Sequence, residues 1–334
     1  MTVHSALGII GAVSTLPLVI VTVVIVLLIL LAAFVLFVAD TTYKVTCYHS
    51  DEDKKRHYDP HIELGDEQYR DISPVMHELI NAAESCEYET VEIMSSRDGT
   101  KLIGRYYKFS DSPVINIFFH GYRGTALRDG CGGFEMSKNA GYNVLLVDQR
   151  ANGLSGGNAI TFGIMERHDC RDWVNYAVGR FGEDIKIVLS GVSLGSATVL
   201  MASGLEMPKN VRCIIADCGF SSPKEIICKV AHEQGYPEKL CYPILKACCM
   251  IRSGFDLDET SAVEAVSKTN IPILIIHGDD DRYVPCDMAH KIYDACRSEK
   301  ELVIIHGAPH AASYVVDKKT YTDAALRFIE KHIA

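Results

Sequence analysis

The chain has 334 residues, of which 48% are hydrophobic and 23% are charged, and its 43 acidic against 33 Lys and Arg residues give a formal net charge of −10. This length suits one large domain or two small ones, and the composition excludes an intrinsically disordered chain. Binding to a phosphate backbone needs clustered positive charge, and this net negative chain has no Lys/Arg-rich run, so nucleic-acid binding is excluded as well.

The first element in chain order is an apolar stretch at residues 18–38, whose only polar member is Thr22. At about 1.5 Å per residue, a helix of this length spans roughly 30 Å, the thickness of the hydrocarbon core of a bilayer. A cleavable signal peptide would need a basic leading region, a shorter apolar core and a small-residue cleavage site, and none of these is present. Residues 1–39 are therefore predicted to form a single-pass membrane anchor.

Basic residues lie on one side of this stretch only. No Lys or Arg precedes it, whereas Lys44, Lys54, Lys55 and Arg56 follow it. The positive-inside rule therefore places the larger part of the chain on the cytoplasmic face of the membrane. Residues 40–88 are polar and mixed in charge, and they predict a juxtamembrane linker that contains one short helix at about residues 75–83.

Short β-rich runs recur through the remainder of the chain. They lie at residues 91–94, 102–109, 114–119, 142–147, 186–189, 211–215, 271–276 and 301–305. From the third run onward they alternate with helical periodicity, and the later runs are almost continuous Val, Ile, Leu and Phe, which is typical of parallel strands covered by helices on both faces. The first two runs predict an antiparallel hairpin. Residues 89–334 are therefore predicted to form an α/β domain with a mainly parallel sheet.

Residues 220–270 contain no strand pattern but repeat apolar positions at helical spacing. They predict a helical insertion, and an insertion of this length in a compact domain is usually functional, for instance as a lid over a binding site. The alternative is a pair of helices that packs on the edge of the sheet.

The twelve cysteines are scattered through the chain without a CxxC pair, although Cys248 and Cys249 are adjacent. Disulfide frameworks belong to short secreted domains and zinc sites use paired spacings, so these residues are expected to be buried free thiols. His57 and His61 have metal-ligand spacing but lack a supporting pattern, and they are expected to lie in a solvated loop. No metal and no cofactor is predicted.

The fifth β-rich run leads directly into residues 191–195 (Gly-Val-Ser-Leu-Gly), and a helix-compatible stretch follows. This sequence between strand and helix is typical of a nucleophile elbow, a turn so tight that glycine is needed beside the serine. The turn would raise the hydroxyl of Ser193 above the sheet. Because a serine hydroxyl is a weak nucleophile at neutral pH, it needs a base nearby and an acid that orients the base.

Candidates for these two groups follow the last two strands, because functional side chains in open α/β sheets lie beyond the carboxyl ends of strands. The seventh run is followed by residues 277–285 (His-Gly-Asp-Asp-Asp-Arg-Tyr-Val-Pro), and the eighth by residues 306–310 (His-Gly-Ala-Pro-His). The resulting order of serine, aspartate and histidine is the order of α/β-hydrolases.

From about residue 91 to residue 333 the chain resembles the α/β-hydrolase superfamily, in particular the serine hydrolases of its serine aminopeptidase-like and Bem46-like bacterial branch. Four segments match in order: residues 120–124 (His-Gly-Tyr-Arg-Gly), residues 148–150 (Asp-Gln-Arg) with Gly153 and Ser155, the elbow, and residues 277–285 with His310 beyond them.

The resemblance implies a role for each matching residue. Ser193 would be the nucleophile and His310 the general base, and the acid, three places after the Gly of the His-Gly pair, would be Asp281. The backbone N–H groups of Tyr122 and Leu194 would form the oxyanion hole.

The chain departs from its relatives at two places, where Ser196 replaces a frequent second Gly and residues 307–310 replace Gly-x-Gly-His. These changes affect substrate fit rather than the three catalytic side chains.

Each of these assignments has a rival in the sequence. Asp279 and Asp280 compete with Asp281, but they are expected to cap or solvate their loop. His306 competes with His310, but it directly follows the strand and has no loop freedom.

Four further polar residues are expected to be structural. His120 and His277 are expected to brace loops, and Asp148 and Arg150 to form a structural pair.

The sequence thus predicts a membrane-anchored serine hydrolase that cleaves ester, thioester or amide bonds through an acyl-enzyme. The apolar insertion and the anchor together favour a small acyl ester or lipid-like substrate. Peptidase or acyltransferase activity on the same fold is one alternative, and a catalytically silent membrane scaffold is another.

Overall fold

The computed structural model describes the backbone of residues 4–61 and 67–334, and side chains from residue 17 onward. The chain divides into two units, one ending at Thr46 and one comprising Cys47–Ala334. The helices of the described residues are α1 (His4–Thr46), α2 (Asp51–His57), α3 (Ser73–Glu84), α4 (Ala126–Asn139), α5 (Glu166–Phe181), α6 (Leu194–Ala202), α7 (Pro223–Glu233), α8 (Glu238–Ser253), α9 (Ala262–Val266), α10 (Asp287–Ala295), α11 (Ser313–Val316) and α12 (Lys318–Ile333). The strands are β1 (Glu89–Met94), β2 (Lys101–Tyr107), β3 (Val114–Phe119), β4 (Asn143–Asp148), β5 (Lys186–Val192), β6 (Val211–Asp217), β7 (Ile273–Gly278) and β8 (Lys300–Ile305).

The first unit is the single helix α1, which extends beyond the predicted apolar stretch to Thr46. Its segment Pro17–Thr46 is 30 residues long and apolar enough to cross a membrane. The one polar side chain of the apolar stretch, Thr22, donates its hydroxyl proton to the Leu18 carbonyl at 2.9 Å, so this group is satisfied within the helix. By length and composition α1 can span a bilayer, and a signal sequence would share both properties.

The second unit is built on one eight-stranded sheet with the order β1-β2-β4-β3-β5-β6-β7-β8. The predicted hairpin is confirmed: β1 and β2 pair antiparallel, with Val91 opposite Gly104. Strand β2 also pairs antiparallel with β4, and all remaining pairs are parallel. The mainly parallel sheet predicted from the sequence is thus confirmed.

Helices cover both faces of the sheet, which explains why its central strands are continuously apolar. On one face, Trp173 of α5 and Val199 of α6 belong to a buried cluster with the side chains of β3 and β5. On the other face, Phe328 of α12 packs in a second cluster with β6 and β7. All residues of β3, β4 and β7 are buried. Each Å² of apolar surface removed from water stabilises a fold by about 25 cal/mol, so these two clusters contribute strongly to the stability of the unit.

Residues 40–88 were predicted as a linker with one short helix at about residues 75–83. The helix is present as α3, but the described residues from 47 onward belong to the second unit and pack onto it. Tyr48 forms an antiparallel bridge with Ala159. A capping box of Ser50 and Asp53 begins α2, because each residue satisfies an N–H of the other. Ile80 of α3 is buried in one cluster with α4. The local sequence is polar, and only contacts with distant residues reveal this packing.

The predicted helical insertion at residues 220–270 contains α7, α8 and α9, so no strand occurs in this segment. Ser222 and Ser261 cap α7 and α9 by accepting hydrogen bonds from backbone N–H groups three residues later. Helices α7 and α8 pack against each other. The insertion follows β6 and therefore begins at the same edge of the sheet as the elbow.

Candidate active site

Ser193 lies in a strained turn between β5 and α6, with φ 54° and ψ −114°. The two glycines of the motif explain how the turn can form. A Cβ atom on Gly191 would lie 2.4 Å from the Gly195 backbone, and one on Gly195 would lie 1.9 Å from the carbonyl oxygen of Phe119. Neither position accepts any other residue, and the close packing of strand and helix holds Ser193 at the carboxyl end of the sheet.

The structure brings Ser193, His310 and Asp281 together into one hydrogen-bonded chain. Nε2 of His310, in the loop between β8 and α11, lies 2.9 Å from the Ser193 Oγ. Nδ1 of the same ring lies 2.6 Å from Oδ2 of Asp281, in the loop between β7 and α10. With Nδ1 protonated, Nε2 can accept the hydroxyl proton of Ser193, so the arrangement suits general-base activation of a nucleophile.

The loop after β7 fixes the Asp281 carboxylate. Its Oδ1 accepts hydrogen bonds from the backbone N–H groups of Tyr283 at 2.9 Å and Val284 at 2.8 Å. Burial alone would raise the pKa of Asp281, but the hydrogen bonds from His277 and His310 and the charge of His310 hold it well below its usual value. Asp281 is therefore ionised at neutral pH and can orient and stabilise a charged His310.

His277, predicted to brace a loop, does so from a fully buried position. Its Nε2 lies 2.8 Å from the Val284 carbonyl oxygen and 3.3 Å from Oδ2 of Asp281, so one N–H is shared between two acceptors. Burial lowers the pKa of His277, but the hydrogen bond to Asp281 and the negative charge of that residue outweigh it and raise the pKa above its usual value. His277 thus helps to orient the Asp281 carboxylate.

The rival aspartate and histidine form a separate pair. Asp279 accepts hydrogen bonds from the His306 Nδ1 at 2.7 Å and the Gly307 N–H at 2.6 Å. The His306 side chain is 88% exposed. Asp280 lies 3.6 Å from Arg282 on the surface of the loop. Because the chain from Ser193 runs through His310 to Asp281, the pair of Asp279 and His306 is a surface pair beside it.

The loop at residues 120–124 lies against the elbow, where the predicted oxyanion donors are found. A Cβ atom on Gly121 would lie 3.5 Å from the Ser193 Cβ. The Gly121 N–H is held by Oδ2 of Asp129 at 2.8 Å, and Tyr122 is the next residue. Leu194 is the first residue of α6, where backbone N–H groups have no partner within the helix. Both predicted donors therefore belong to backbone segments adjacent to Ser193.

His120 braces this loop, as predicted, and its hydrogen bonds define its tautomer. Nδ1–H donates to the Gly121 carbonyl at 2.8 Å, and Nε2 accepts from the Gln149 N–H at 3.0 Å. The Gln149 side chain donates to the His120 carbonyl and accepts from Thr198 of α6. The loops after β3 and β4 and the helix after the elbow are thereby linked.

The expected pair of Asp148 and Arg150 is corrected by the structure. Arg150 binds Asp169 of α5 through two N–H groups, at 2.6 and 2.7 Å, and Asp98 at 2.8 Å. Asp148 instead accepts a hydrogen bond from the Leu154 N–H at 2.9 Å. Arg150 and Asp148 both stabilise the loop after β4, but through different partners. Arg150 binds Asp169 because the two N–H groups on one side of the guanidinium group match the two oxygens of that carboxylate.

Two further residues contact the candidate site and were not predicted from the sequence. The carbonyl of Asp217, at the end of β6, accepts the Ser193 N–H at 2.9 Å, and applying the strand-end rule to β6 would have found this residue. The hydroxyl of Tyr69, in a 3-10 turn at Glu67–Tyr69, donates to the His310 carbonyl at 3.0 Å. No sequence signal marks Tyr69, because its segment is polar and its contact spans 241 positions.

In the part of the chain that the structure describes, one group of metal-ligating side chains has donor atoms within 4.8 Å of one another: Cys218, Asp281 and His310. Two of its members are already hydrogen-bonded to each other. Burial strongly raises the pKa of the Cys218 thiol, which keeps it protonated and a poor metal ligand. The three side chains are therefore better suited to proton transfer than to binding a metal ion.

The histidine pair with metal-ligand spacing takes separate partners. Nδ1 of His57 lies 3.0 Å from Nε2 of His49, whereas Nε2 of His61 lies 3.0 Å from a Glu84 oxygen.

Comparison with known proteins agrees with this architecture. YqkD of Bacillus subtilis, an uncharacterized protein, is 27% identical over 255 residues, which are 76% of this chain and 83% of that protein. The uncharacterized protein YfhR of Escherichia coli K12 is 26% identical over 243 residues, 70% of this chain and 75% of that protein. The structure of the Pyrococcus furiosus esterase Pf2001 matches with a TM-score of 0.60 at 23% identity and covers 81% of this chain and 98% of that chain.

A second solved structure, Est1E from Butyrivibrio proteoclasticus with bound ferulic acid, matches with a TM-score of 0.53 at 20% identity and covers 73% of this chain and 99% of that chain. These structural matches establish the α/β-hydrolase fold. The sequence model of the prolyl oligopeptidase family matches residues 134–334, more than half of the chain, including the elbow and both later loops. The chain therefore belongs to the prolyl oligopeptidase family and is a serine hydrolase with the α/β-hydrolase fold.

Proposed function

We propose that this chain is a membrane-anchored hydrolase that cleaves carboxylic ester or thioester bonds, with Ser193 as nucleophile, His310 as general base and Asp281 as the orienting acid. One observation carries the proposal: the chain of hydrogen bonds from the Ser193 Oγ through His310 to Asp281, at 2.9 and 2.6 Å. A strained serine at an elbow with a base already in contact is the arrangement that nucleophilic catalysis requires.

In the first half of the reaction, the Ser193 Oγ attacks the substrate carbonyl carbon while Nε2 of His310 takes the hydroxyl proton. The carbonyl oxygen becomes an oxyanion, which the N–H groups of Tyr122 and Leu194 would stabilise. Loss of one such donor typically costs about 2.7–4 kcal/mol. Collapse of this intermediate transfers the proton from His310 to the leaving group and leaves an acyl-serine.

In the second half, His310 removes a proton from water, which attacks the acyl-serine and releases the acid. Asp281 stays ionised in both halves and stabilises the imidazolium form of His310. Its low pKa supports this role, because a carboxyl group that took up the proton itself could not stabilise a positive ring.

Labelling with a fluorophosphonate tests the nucleophile directly. Wild-type protein is expected to form a covalent adduct on Ser193, and Ser193→Ala to form none. Ser196→Ala is the matched control, because Ser196 lies three residues further on, in α6, but is fully buried and its hydroxyl has no hydrogen-bond partner among the described residues. Absence of an adduct on folded wild-type protein, or an adduct unchanged in Ser193→Ala, would instead support the silent scaffold.

We further propose that the substrate is a small acyl ester or lipid-like molecule. The insertion supports this, because α8 presents large apolar side chains to solvent: Leu240 is 62% exposed, Met250 51% and Ile251 85%. Apolar surface of this kind marks a partner, ligand or membrane contact. A series of p-nitrophenyl esters of increasing acyl length would test it. Activity should extend to medium or long chains, and activity confined to acetyl would contradict the proposal.

Peptidase activity is the second candidate function, and the match to the prolyl oligopeptidase family favours it. The same acyl-enzyme chemistry cleaves amides, but the amine leaving group must receive its proton from His310. Paired ester and anilide substrates with one acyl group distinguish the two. A kcat/KM for the anilide equal to or above that for the ester would favour the peptidase, and acceleration by an added alcohol would favour an acyltransferase.

We also propose that α1 crosses the membrane and that the second unit, Cys47–Ala334, lies on the cytoplasmic face. The segment Pro17–Thr46 is long enough to cross, and Lys44, Lys54, Lys55 and Arg56 follow the apolar stretch. Alkaline carbonate extraction tests integration, since an anchored chain stays with the membrane pellet. Protease digestion of a carboxyl-terminal tag in sealed vesicles of known orientation then tests the side.

A further inference from the structure

Two thiols from distant parts of the sequence meet in the interior of the second unit. The Sγ atoms of Cys47 and Cys249 are 3.6 Å apart, although 202 positions separate the residues. Both side chains have 0% exposure. A disulfide bond is about 2.05 Å long, so closing the distance requires side-chain movement of roughly 1.5 Å. Cys47 directly follows α1 in the sequence, and Cys249 lies on α8 of the insertion.

Backbone hydrogen bonds fix the position of Cys47. Its carbonyl accepts the Ile160 N–H at 2.8 Å, and the His49 N–H donates to the Asn158 carbonyl at 2.8 Å. Between these two bonds lies the bridge of Tyr48 with Ala159. Segment 47–49 is therefore held like an added strand on the loop after β4.

Packing fixes Cys249. Leu245, one turn earlier on α8, and Tyr242, two turns earlier, are buried on the same face of this helix. Cys248 is also largely buried, but it is one residue away on the helix and so its side chain projects about 100° away from that of Cys249. The structure thus pairs Cys47 specifically with Cys249.

We propose that Cys47 and Cys249 are an intramolecular disulfide site that reacts with low-molecular-weight disulfides and joins α8 to segment 47–49. One protein thiolate attacks the disulfide RSSR, which forms a mixed disulfide and releases one RSH after protonation. The second protein thiol, as thiolate, attacks the protein sulfur of the mixed disulfide and releases the second RSH. Two protein thiols are oxidised to one disulfide bond, and one RSSR is reduced to two RSH.

The surroundings of Cys47 and Cys249 make this reaction slow as long as α8 stays packed in the position that the structure shows. The hydrogen bond with Cys249, together with burial, raises the pKa of Cys47 well above its usual value. Because the thiolate is the attacking species, Cys47 is a poor nucleophile in this conformation, and with 0% exposure neither thiol is accessible to a dissolved disulfide. Oxidation then requires local opening of α8, and the bond, once formed, prevents that opening. Its effect on substrate access rests on the proposed function, whereas formation of the bond does not.

The test uses the full chain purified in detergent and incubated with oxidised glutathione. Free thiols are then alkylated, and the protein is digested without reductant for mass spectrometry. A peptide pair joined through Cys47 and Cys249 is expected, and Cys248→Ser should retain it while Cys249→Ser loses it. A pair joined through Cys47 and Cys248 overturns the proposal. Alkylated thiols at both positions 47 and 249 also overturn it if the partly buried Cys228 carries glutathione, because the oxidant was then active in the sample.

Hydrogen–deuterium exchange of the same samples tests the consequence. Amides of Glu238–Ser253 should exchange at least severalfold more slowly in the oxidised protein than in the reduced protein. Unchanged exchange in a fully oxidised sample overturns the joining of α8. Neither readout depends on catalysis, so failure here is distinguishable from failure of the proposed function, which fluorophosphonate labelling of the reduced protein reports.

Discussion

The hydroxyl of Tyr69 donates a hydrogen bond to the main-chain carbonyl of His310 at 3.0 Å. A turn that precedes all strands of the sheet in the sequence therefore contacts the backbone of the proposed general base. His310 lies in a loop between β8 and α11, and a loop gains precision only from such contacts. Tyr69 is buried, which shields the bond from solvent. We therefore expect Tyr69 to position His310.

The variant Tyr69→Phe removes this hydrogen bond and keeps the ring. A neutral hydrogen bond contributes about 0.5–1.5 kcal/mol, so we expect kcat to fall about two- to tenfold with little change in KM. Tyr58→Phe is the control, because Tyr58 lies in the same segment but binds Arg105. Equal losses in both variants, or a rise in KM alone, would show that Tyr69 does not position His310.

Asp281→Asn tests the acid of the site against its nearest rival. The amide oxygen can keep the hydrogen bonds from the Tyr283 and Val284 N–H groups, but the NH2 group then faces Nδ1 of His310. The ring must carry its proton on Nε2, where it can no longer accept the proton of Ser193. We expect kcat to fall by about 10⁴, as a wrong tautomer does in serine hydrolases.

Asp279→Asn is the matched control, since Asp279 also binds a histidine, the exposed His306. We expect its kcat/KM to stay close to wild type. If both variants lost activity equally, the surface pair would be part of the catalytic site, and the assignment of Asp281 would be wrong.

The elements that the sequence predicted well are those set by local rules. Buried strands must be apolar on both faces, so β3 was predicted at its observed bounds. The elbow was recognisable because steric contact at Gly191 and Gly195 leaves no alternative residue. Asp281 and His310 follow strand ends, and neighbouring parallel strands bring their carboxyl ends to one edge of the sheet.

The elements that were missed depend on contacts between distant residues. The helix α3 was predicted, but the docking of the described residues between 47 and 88 was not, because it rests on main-chain bonds such as the bridge of Tyr48 with Ala159 and on a few buried side chains such as Ile80. Main-chain bonds leave no side-chain pattern to recognise. The contact of Cys47 with Cys249 could not be predicted from the sequence either, because the positions of scattered cysteines do not indicate which two of them meet in the fold.

Arg150→Met tests the buried pair that steadies the loop after β4. The side chains of Arg150 and Asp169 are 6% and 4% exposed, and removing one partner of a buried pair typically destabilises a protein by about 3–5 kcal/mol. Burial raises the pKa of Asp169 to about 6 in spite of Arg150. At pH 5 Asp169 is therefore largely neutral with or without Arg150, whereas at pH 7.5 the wild type holds a charged pair that the variant loses, so the destabilisation should be smaller at pH 5 than at pH 7.5.

Denaturant unfolding of the wild type and Arg150→Met at the two pH values measures this difference. Asp98→Asn is a useful comparison, because it removes the more exposed partner of Arg150 and should cost much less stability. A destabilisation by Arg150→Met that is equal at both pH values would show that Arg150 does not lower the pKa of Asp169.

Asp217 also gives stability a pH dependence, because its carboxylate is buried and forms no salt bridge within the described part of the chain. Burial raises the pKa of Asp217 to about 6, although the Ser313 hydroxyl donates to it at 3.1 Å. The unfolded chain titrates this group near about 3.9. Between about pH 4 and pH 6 the folded state therefore binds more protons than the unfolded state, and the contribution of Asp217 to stability falls as pH rises through this window.

Asp217→Asn removes the ionisation and keeps an oxygen that can accept from Ser313. We expect the melting temperature of the variant, relative to wild type, to increase by several degrees from pH 4.5 to about pH 6 and to level off above that. All other titrating groups are common to both proteins and cancel in the comparison. The variant also keeps the Asp217 carbonyl position that accepts the Ser193 N–H, so fluorophosphonate labelling should continue. A relative melting temperature that is constant across this range would mean that Asp217 is ionised in the folded protein with its usual pKa.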